Sequence, residues 1–278
     1  MTHQKSILKK LLAIREKVSE EKPLIHCITN SISINDCANV VLGVGAKPIM
    51  AEHPLEVAEI TALSGALALN LGNITDSRME AMKLSGKVAR QKHIPVVLDL
   101  VGVGCSTLRR NYAKAFIAQT PPSVLKGNMS ELKALGEEKS HASGVDVGDV
   151  DLVTASNLQD SLNLLKRLSV NTNAVVVATG VMDLIVCRQK AYVIKNGCQM
   201  LSGLTGTGCM INVMIATFIS TGEILEGSLL AVALMGICGE LSKQAKGNGT
   251  FKTLLLDNIY SLTNEDFIEK INLECYEI

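Results

Sequence analysis

Tryptophan is absent from this 278-residue chain, and all aromatic residues together make up only 3% of it. Stacking platforms for single-stranded nucleic acid are built from such rings, so that class of function is excluded. Net charge is absent as well, since 27 basic residues balance 27 acidic ones. No bulk field draws nucleic acid or anionic lipid to the surface. Long apolar runs are also missing. The longest, Leu229–Cys238 (LLAVALMGIC), falls well short of the roughly 20 residues that a spanning helix needs. The N-terminal stretch MTHQKSILKKLLAIREKVSEE is charged throughout and lacks the apolar core of a secretory signal, so it reads as an amphipathic helix. Cysteine is not scarce, with eight in the chain, but no C-x-x-C and no zinc-type Cys/His spacing occurs. Several cysteines lie in apolar runs, where the thiol acts as a small hydrophobe. Free thiols in a reducing cytoplasm are the expectation.

What is present is a globular composition, 47% hydrophobic and 19% charged. No linker, repeat or low-complexity segment divides it, so residues 1–278 are expected to form a single domain. Short apolar runs at 24–28, 66–71, 95–100, 122–127 and 174–180 read as buried strands. Helical spacing follows at 75–91, with Thr75 or Asp76 as N-cap, and at 157–170, opening with Asn157. The alternation predicts parallel βαβ units in an α/β sandwich with helices on both faces of the sheet. After residue 180 the pattern changes to a hairpin over 184–194 and helices over 208–221, 224–246 and 250–261. The most polar stretch, 136–151, is expected to be an exposed loop.

Open α/β sheets bind ligands beyond the carboxyl ends of their strands. The residues placed there are Thr29-Asn30, Gly72-Asn73, Asp99 with Gly102-Val103-Gly104, Asn128-Met129-Ser130-Glu131, and Thr179-Gly180. Polar and glycine residues thus gather at one edge, which points to a site there. A further glycine turn, LTGTGCM (204–210), opens a late helix. It has no Lys-Ser/Thr after its glycines and is not a P-loop. It lacks the third glycine of the dinucleotide fingerprint and lies far from the first strand. Two readings remain open for it: backbone N–H groups that hold an anion, or glycines that allow tight packing. Cys209 in the first helical turn divides in the same way. A helix dipole favours a thiolate there, yet a small buried residue explains the position better from the sequence alone.

GTGC at the start of that helix, with NMSE (128–131) and TG (179–180) upstream, resembles the ribokinase-like superfamily. Most of its members carry Asp where this chain has Cys209. The branch with Cys is hydroxyethylthiazole kinase, and the stretches at 23–57, 67–73, 98–104 and 204–210 resemble it in order across nearly the whole chain. The resemblance implies a ribokinase-like three-layer sandwich with a mostly parallel sheet. It also implies a homotrimer with sites at subunit boundaries. The implied reaction is ATP- and Mg²⁺-dependent phosphorylation of the primary alcohol of hydroxyethylthiazole, for thiamine salvage. Carried over by position, Cys209 is the catalytic base. Met50, Gly206 and Asn30 fall on the substrate side, Lys126, Thr179 and Gly208 on the ATP side, and Asp99 and Glu131 near the metal, mostly through water. A thioether at position 50 suits a sulfur heterocycle, although core packing accounts for Met50 equally well without the resemblance.

Two positions depart from the family pattern. Leu100 stands where relatives have proline, and Lys126 stands where arginine is common. Lysine offers a point charge in place of a planar fork. The alternatives are a kinase for hydroxymethylpyrimidine or pyridoxal, a cysteine-nucleophile hydrolase, and a non-catalytic thiazole sensor. Cys209 argues against the first, and no pattern pairs His26 or His53 with Cys209 for the second.

Overall fold

The computed structural model describes residues 2–136 and 151–278. The polar stretch expected as a loop therefore lies almost wholly outside the described residues. Nine strands form one sheet: β1 (Leu24–Ile28), β2 (Lys47–Ile49), β3 (Ala66–Asn70), β4 (Val96–Asp99), β5 (Val124–Asn128), β6 (Val175–Thr179), β7 (Asp183–Cys187), β8 (Lys190–Ile194) and β9 (Leu273–Glu277). Their order is β2-β1-β3-β4-β5-β6-β7-β8-β9. Neighbours from β2 to β6 are parallel, whereas β6 to β9 pair antiparallel. The five expected strands and the hairpin are all present. The two outermost strands, β2 and β9, were not expected from the sequence.

Side chains alternate faces along a strand, and the sheet accordingly feeds two cores. Ala66, Ala68, Val97, Val124, Val175 and Val177 join one core, while Leu67, Leu69, Val96, Leu98, Leu125 and Val176 join the other. The first core is covered by α1 (Thr2–Glu21), α2 (Ile34–Gly43), α9 (Thr207–Ile219), α10 (Ile224–Leu241) and α11 (Asn248–Ser261). The second is covered by α4 (Asp76–Lys92), α5 (Thr107–Gln119), α6 (Met129–Leu135) and α7 (Leu158–Thr172). The short helices α3 (Val57–Leu63), α8 (Gln199–Ser202) and α12 (Asn264–Lys270) complete the chain.

Local chemistry sets the helix ends. The Thr75 side chain accepts the Arg78 N–H at the start of α4, as the sequence indicated. In α1, Ile7, Leu11, Ile14 and Val18 are buried, giving the amphipathic stripe. The apolar run seen in the sequence is the middle of α10, and glycines and Ser228 extend that helix to 18 residues. By length and composition α10 could cross a membrane, but 72% of it is buried inside this fold. Its Gly236 lies against the Asn196 backbone, where a Cβ would come within 2.6 Å of the carbonyl oxygen.

Candidate active site

Strand order reverses between β1 and β3, because the chain runs outward to β2 before returning to β3. Such a switch point opens a crevice at the carboxyl ends of the strands. The face that carries Ala68, Val97 and Val124 ends in Asn70, Asp99 and Lys126, each two residues further along its strand. Parallel register aligns Asn70 with Asp99 and Asp99 with Lys126. The period-two pattern that builds the core thus delivers a polar row at its edge, under the N-terminus of α9.

That row is hydrogen-bonded from end to end. Lys126 Nζ donates to both Asp99 oxygens, at 3.1 and 3.0 Å. Asn70 Nδ2 donates to Asp99 Oδ2 at 3.0 Å and to Cys209 Sγ at 3.3 Å. Asn30, just beyond β1, donates to Cys209 Sγ at 3.0 Å. The carbonyl side of Asn30 accepts from the N–H groups of Ile32 and Ser33 and from Ser33 Oγ, which fixes the amide orientation. Cys209, Asn30, Asp99, Lys126 and Gly208 are therefore one cluster. Asn70 belongs to it although the sequence did not single it out. Its signal was a lone amide in the apolar strand ALALN.

The glycines make these approaches possible. Gly206 precedes α9 at φ +90°, and a Cβ there would sit 3.0 Å from Ser33 Cβ. A Cβ on Gly208 would sit 3.0 Å from Lys126 Nζ, so its absence lets the ammonium approach the helix start. The first N–H groups of a helix have no carbonyl partner within it and carry partial positive charge. Those N–H groups and the Lys126 ammonium thus lie close together at the start of the helix that carries Cys209.

Glu131 lies one strand end away. Its carboxylate accepts from Gly102 N and Asn128 N, each at 2.8 Å, and Asn128 Oδ1 accepts from Glu131 N at 2.9 Å. This is the reciprocal capping box of α6. Thr179 ends β6 in register with Asn128, and its hydroxyl lies 3.5 Å from the Gly127 carbonyl. Met50 follows β2 and is half-buried against the first core, with no hydrogen-bonded link to the Cys209 cluster. His26 bonds to Thr61 Oγ1 and the Ala51 carbonyl, and His53 accepts from Leu55 N. Neither ring is hydrogen-bonded to Cys209, which removes the support for a Cys–His hydrolase.

Burial shapes the charges. It pushes the Asp99 carboxyl up, against the pull of Lys126 and the Asn70 hydrogen bond. Burial also acts to lower Lys126, but the charges of Asp99, Cys209 and Glu131 outweigh it and hold the ammonium above its ordinary value. Glu131 is raised to about 7 by burial and by Asp99, with Lys126 and the two backbone N–H groups opposing. Cys37, bonded to Ser33 Oγ, is pushed by burial up to about 12 and stays a thiol.

Every oxygen of Asp99 and Glu131 already accepts a hydrogen bond from the protein. Among the described residues no group of three or more His, Cys, Asp or Glu could hold a metal. This donor set fits a Mg²⁺ reached through water.

The fold and this edge of the sheet define a ribokinase-like α/β protein. Pyridoxal kinase from Staphylococcus aureus, in complex with AMP-PCP, shares the fold at TM-score 0.63 and 15% identity, over 92% of this chain and 98% of that one. The sequence relatives narrow the class. Residues 15–265 match the model of the hydroxyethylthiazole kinase family, and the chain belongs to that family. It is 57% identical to hydroxyethylthiazole kinase 2 of Clostridium botulinum (strain Kyoto / Type A2), over 95% of this chain and all of that protein. It is 35% identical to hydroxyethylthiazole kinase of Methanobrevibacter smithii, over 99% of each. The structure of the hydroxyethylthiazole kinase protein from Pyrococcus horikoshii OT3 superposes at TM-score 0.87 and 27% identity, over 97% of this chain and all of that one.

Proposed function

We propose that this chain transfers the γ-phosphoryl group of ATP to the primary alcohol of hydroxyethylthiazole, in thiamine salvage. The observation that carries the reading is the Cys209 thiol at the first turn of α9, held by Asn30 and Asn70 at the switch point. In the transfer, the bond between the γ-phosphorus and the ADP oxygen breaks as the alcohol oxygen bonds to phosphorus. The transition state is loose, so the alcohol keeps its proton until late and a strong base is not required. Cys209 receives that proton or holds the alcohol in line. The N–H groups that open α9 and the Lys126 ammonium offset charge on the phosphoryl oxygens. Asp99 and Glu131 would hold a Mg²⁺ that binds with ATP, through its water shell, and that ion would neutralise phosphate charge. Gly208 leaves room for the phosphates beside Lys126, and Thr179 lies on the nucleotide side.

Met50 and Gly206 border the thiazole, with Asn30 between them and Cys209. The active form is a cytoplasmic homotrimer of single-domain subunits, with sites at the boundaries. Leu55 (86% exposed), just before α3, and Leu63 (75%), its last residue, are apolar side chains that such a boundary would cover.

A coupled assay for ADP release, with product mass measured, tests the reading across hydroxyethylthiazole, hydroxymethylpyrimidine and pyridoxal. The expected result is Mg²⁺-dependent turnover with hydroxyethylthiazole and a product heavier by one phosphoryl group. Turnover confined to either other alcohol, or turnover that persists after Mg²⁺ is removed, contradicts it.

A further inference from the structure

We propose that Asn70 is a positioning residue for Cys209, joining the thiol to the Asp99–Lys126 ion pair. Its side chain has a partner for each polar atom. Oδ1 accepts from Gly72 N at 2.8 Å and from Asn30 Nδ2 at 3.3 Å. Nδ2 donates to Asp99 Oδ2 and to Cys209 Sγ. The two carbonyl-side donors settle which end of the amide is nitrogen. Asn70 is 1% exposed, so losing these bonds would leave buried groups unpaired. Gly72 is part of the same device, since a Cβ there would come 2.8 Å from Asn70 Oδ1 and 3.1 Å from Asn30 Nδ2.

The helix is pinned at the same level. Asn212, one turn after Cys209 in α9, donates from Nδ2 to the carbonyl of Leu69 at 3.1 Å. The strand that carries Asn70 and the helix that carries Cys209 are thus tied one residue away from the amide. Two amide N–H groups, from Asn30 and Asn70, converge on one sulfur. They occupy its acceptor capacity on the sheet side. The kinase reading places the acceptor alcohol on the remaining side of the sulfur, and Cys209 is 9% exposed. Asn70 is uncharged, so it links sulfur to carboxylate without adding a second charge between them.

The kinetic consequence rests on the kinase reading, whereas the effect on the sulfur does not. Two readouts separate them. First, Cys209 alkylation by iodoacetamide is timed in wild type and Asn70→Ala, with the modified peptide identified by mass. Loss of an N–H donor that stabilises negative sulfur should slow it roughly threefold or more. An unchanged rate overturns the proposal whether or not the chain phosphorylates hydroxyethylthiazole. Second, kcat and KM are compared in wild type, Asn70→Ala, Cys209→Ala and the double variant. Asn70→Ala should lower kcat roughly tenfold or more and leave KM for ATP within about twofold. It should cost nothing further once Cys209 is alanine. An equal loss in both backgrounds is the signature of a structural role alone and overturns the proposal. Asn70→Asp keeps the shape and the acceptor for Gly72 but removes the donor. It should alkylate more slowly than wild type, and a wild-type kcat in it at pH 8 overturns the proposal.

Discussion

Asp183 shows at the scale of one residue how burial sets charge. It is raised to about 7 by burial, against the Gly180 N–H and the Lys126 charge. The native state therefore holds a proton on Asp183 between about pH 4 and 7 that the unfolded chain has released. Its stabilising contribution is full below about pH 4 and is lost as pH rises to about 7. Asp183→Asn should flatten the pH dependence of stability in that window by on the order of 1 kcal/mol per unit. Urea denaturation between pH 5 and 8 measures this, and equal slopes in both proteins would contradict it. Residues at this scale differ in how legible they were. Lys126 was reached only through the family resemblance, whereas Cys209 and Asp99 stood out because each interrupts a glycine or apolar pattern. Asn70 breaks one too, but its meaning depends on partners up to 139 positions away in sequence, and no local pattern reports those.

At the scale of elements, α6 joins stability to the site. Asn128 and Glu131 cap each other, so the carboxylate proposed to face a Mg²⁺ water shell is also a helix cap. Asn128→Ala should cost about 1 kcal/mol by urea denaturation, and a change of only a few tenths would contradict the capping account. The long elements were read from periodicity with small errors at their ends. β3, for example, stops at Asn70 in place of Leu71, and α10 stops at Leu241 in place of 246. The missed strands are the two at the sheet edges. β2 is three residues long and contains proline, which an edge strand tolerates. β9 (LECYE) carries two glutamates among its five residues, and only one of the five is buried. Edge strands bury little, so their hydrophobic signal is weak.

At the scale of the whole molecule, the sheet does two jobs with one repeat. Its period-two pattern fills both cores, and at the carboxyl ends the same phase carries Asn70, Asp99 and Lys126 to the switch point. The α/β class and the parallel order were legible because buried strands alternate with helical spacing. The crevice itself was not, since β2 reverses the order while leaving almost no trace in the sequence. The central claim is that this crevice presents Cys209 to the acceptor alcohol. Steady-state turnover of hydroxyethylthiazole by Cys209→Ala and Cys209→Asp tests it most directly. The account predicts a kcat lowered roughly a hundredfold in the alanine variant and a kcat retained or raised in the aspartate variant. A folded aspartate variant without activity, or an alanine variant with wild-type kcat, would contradict it.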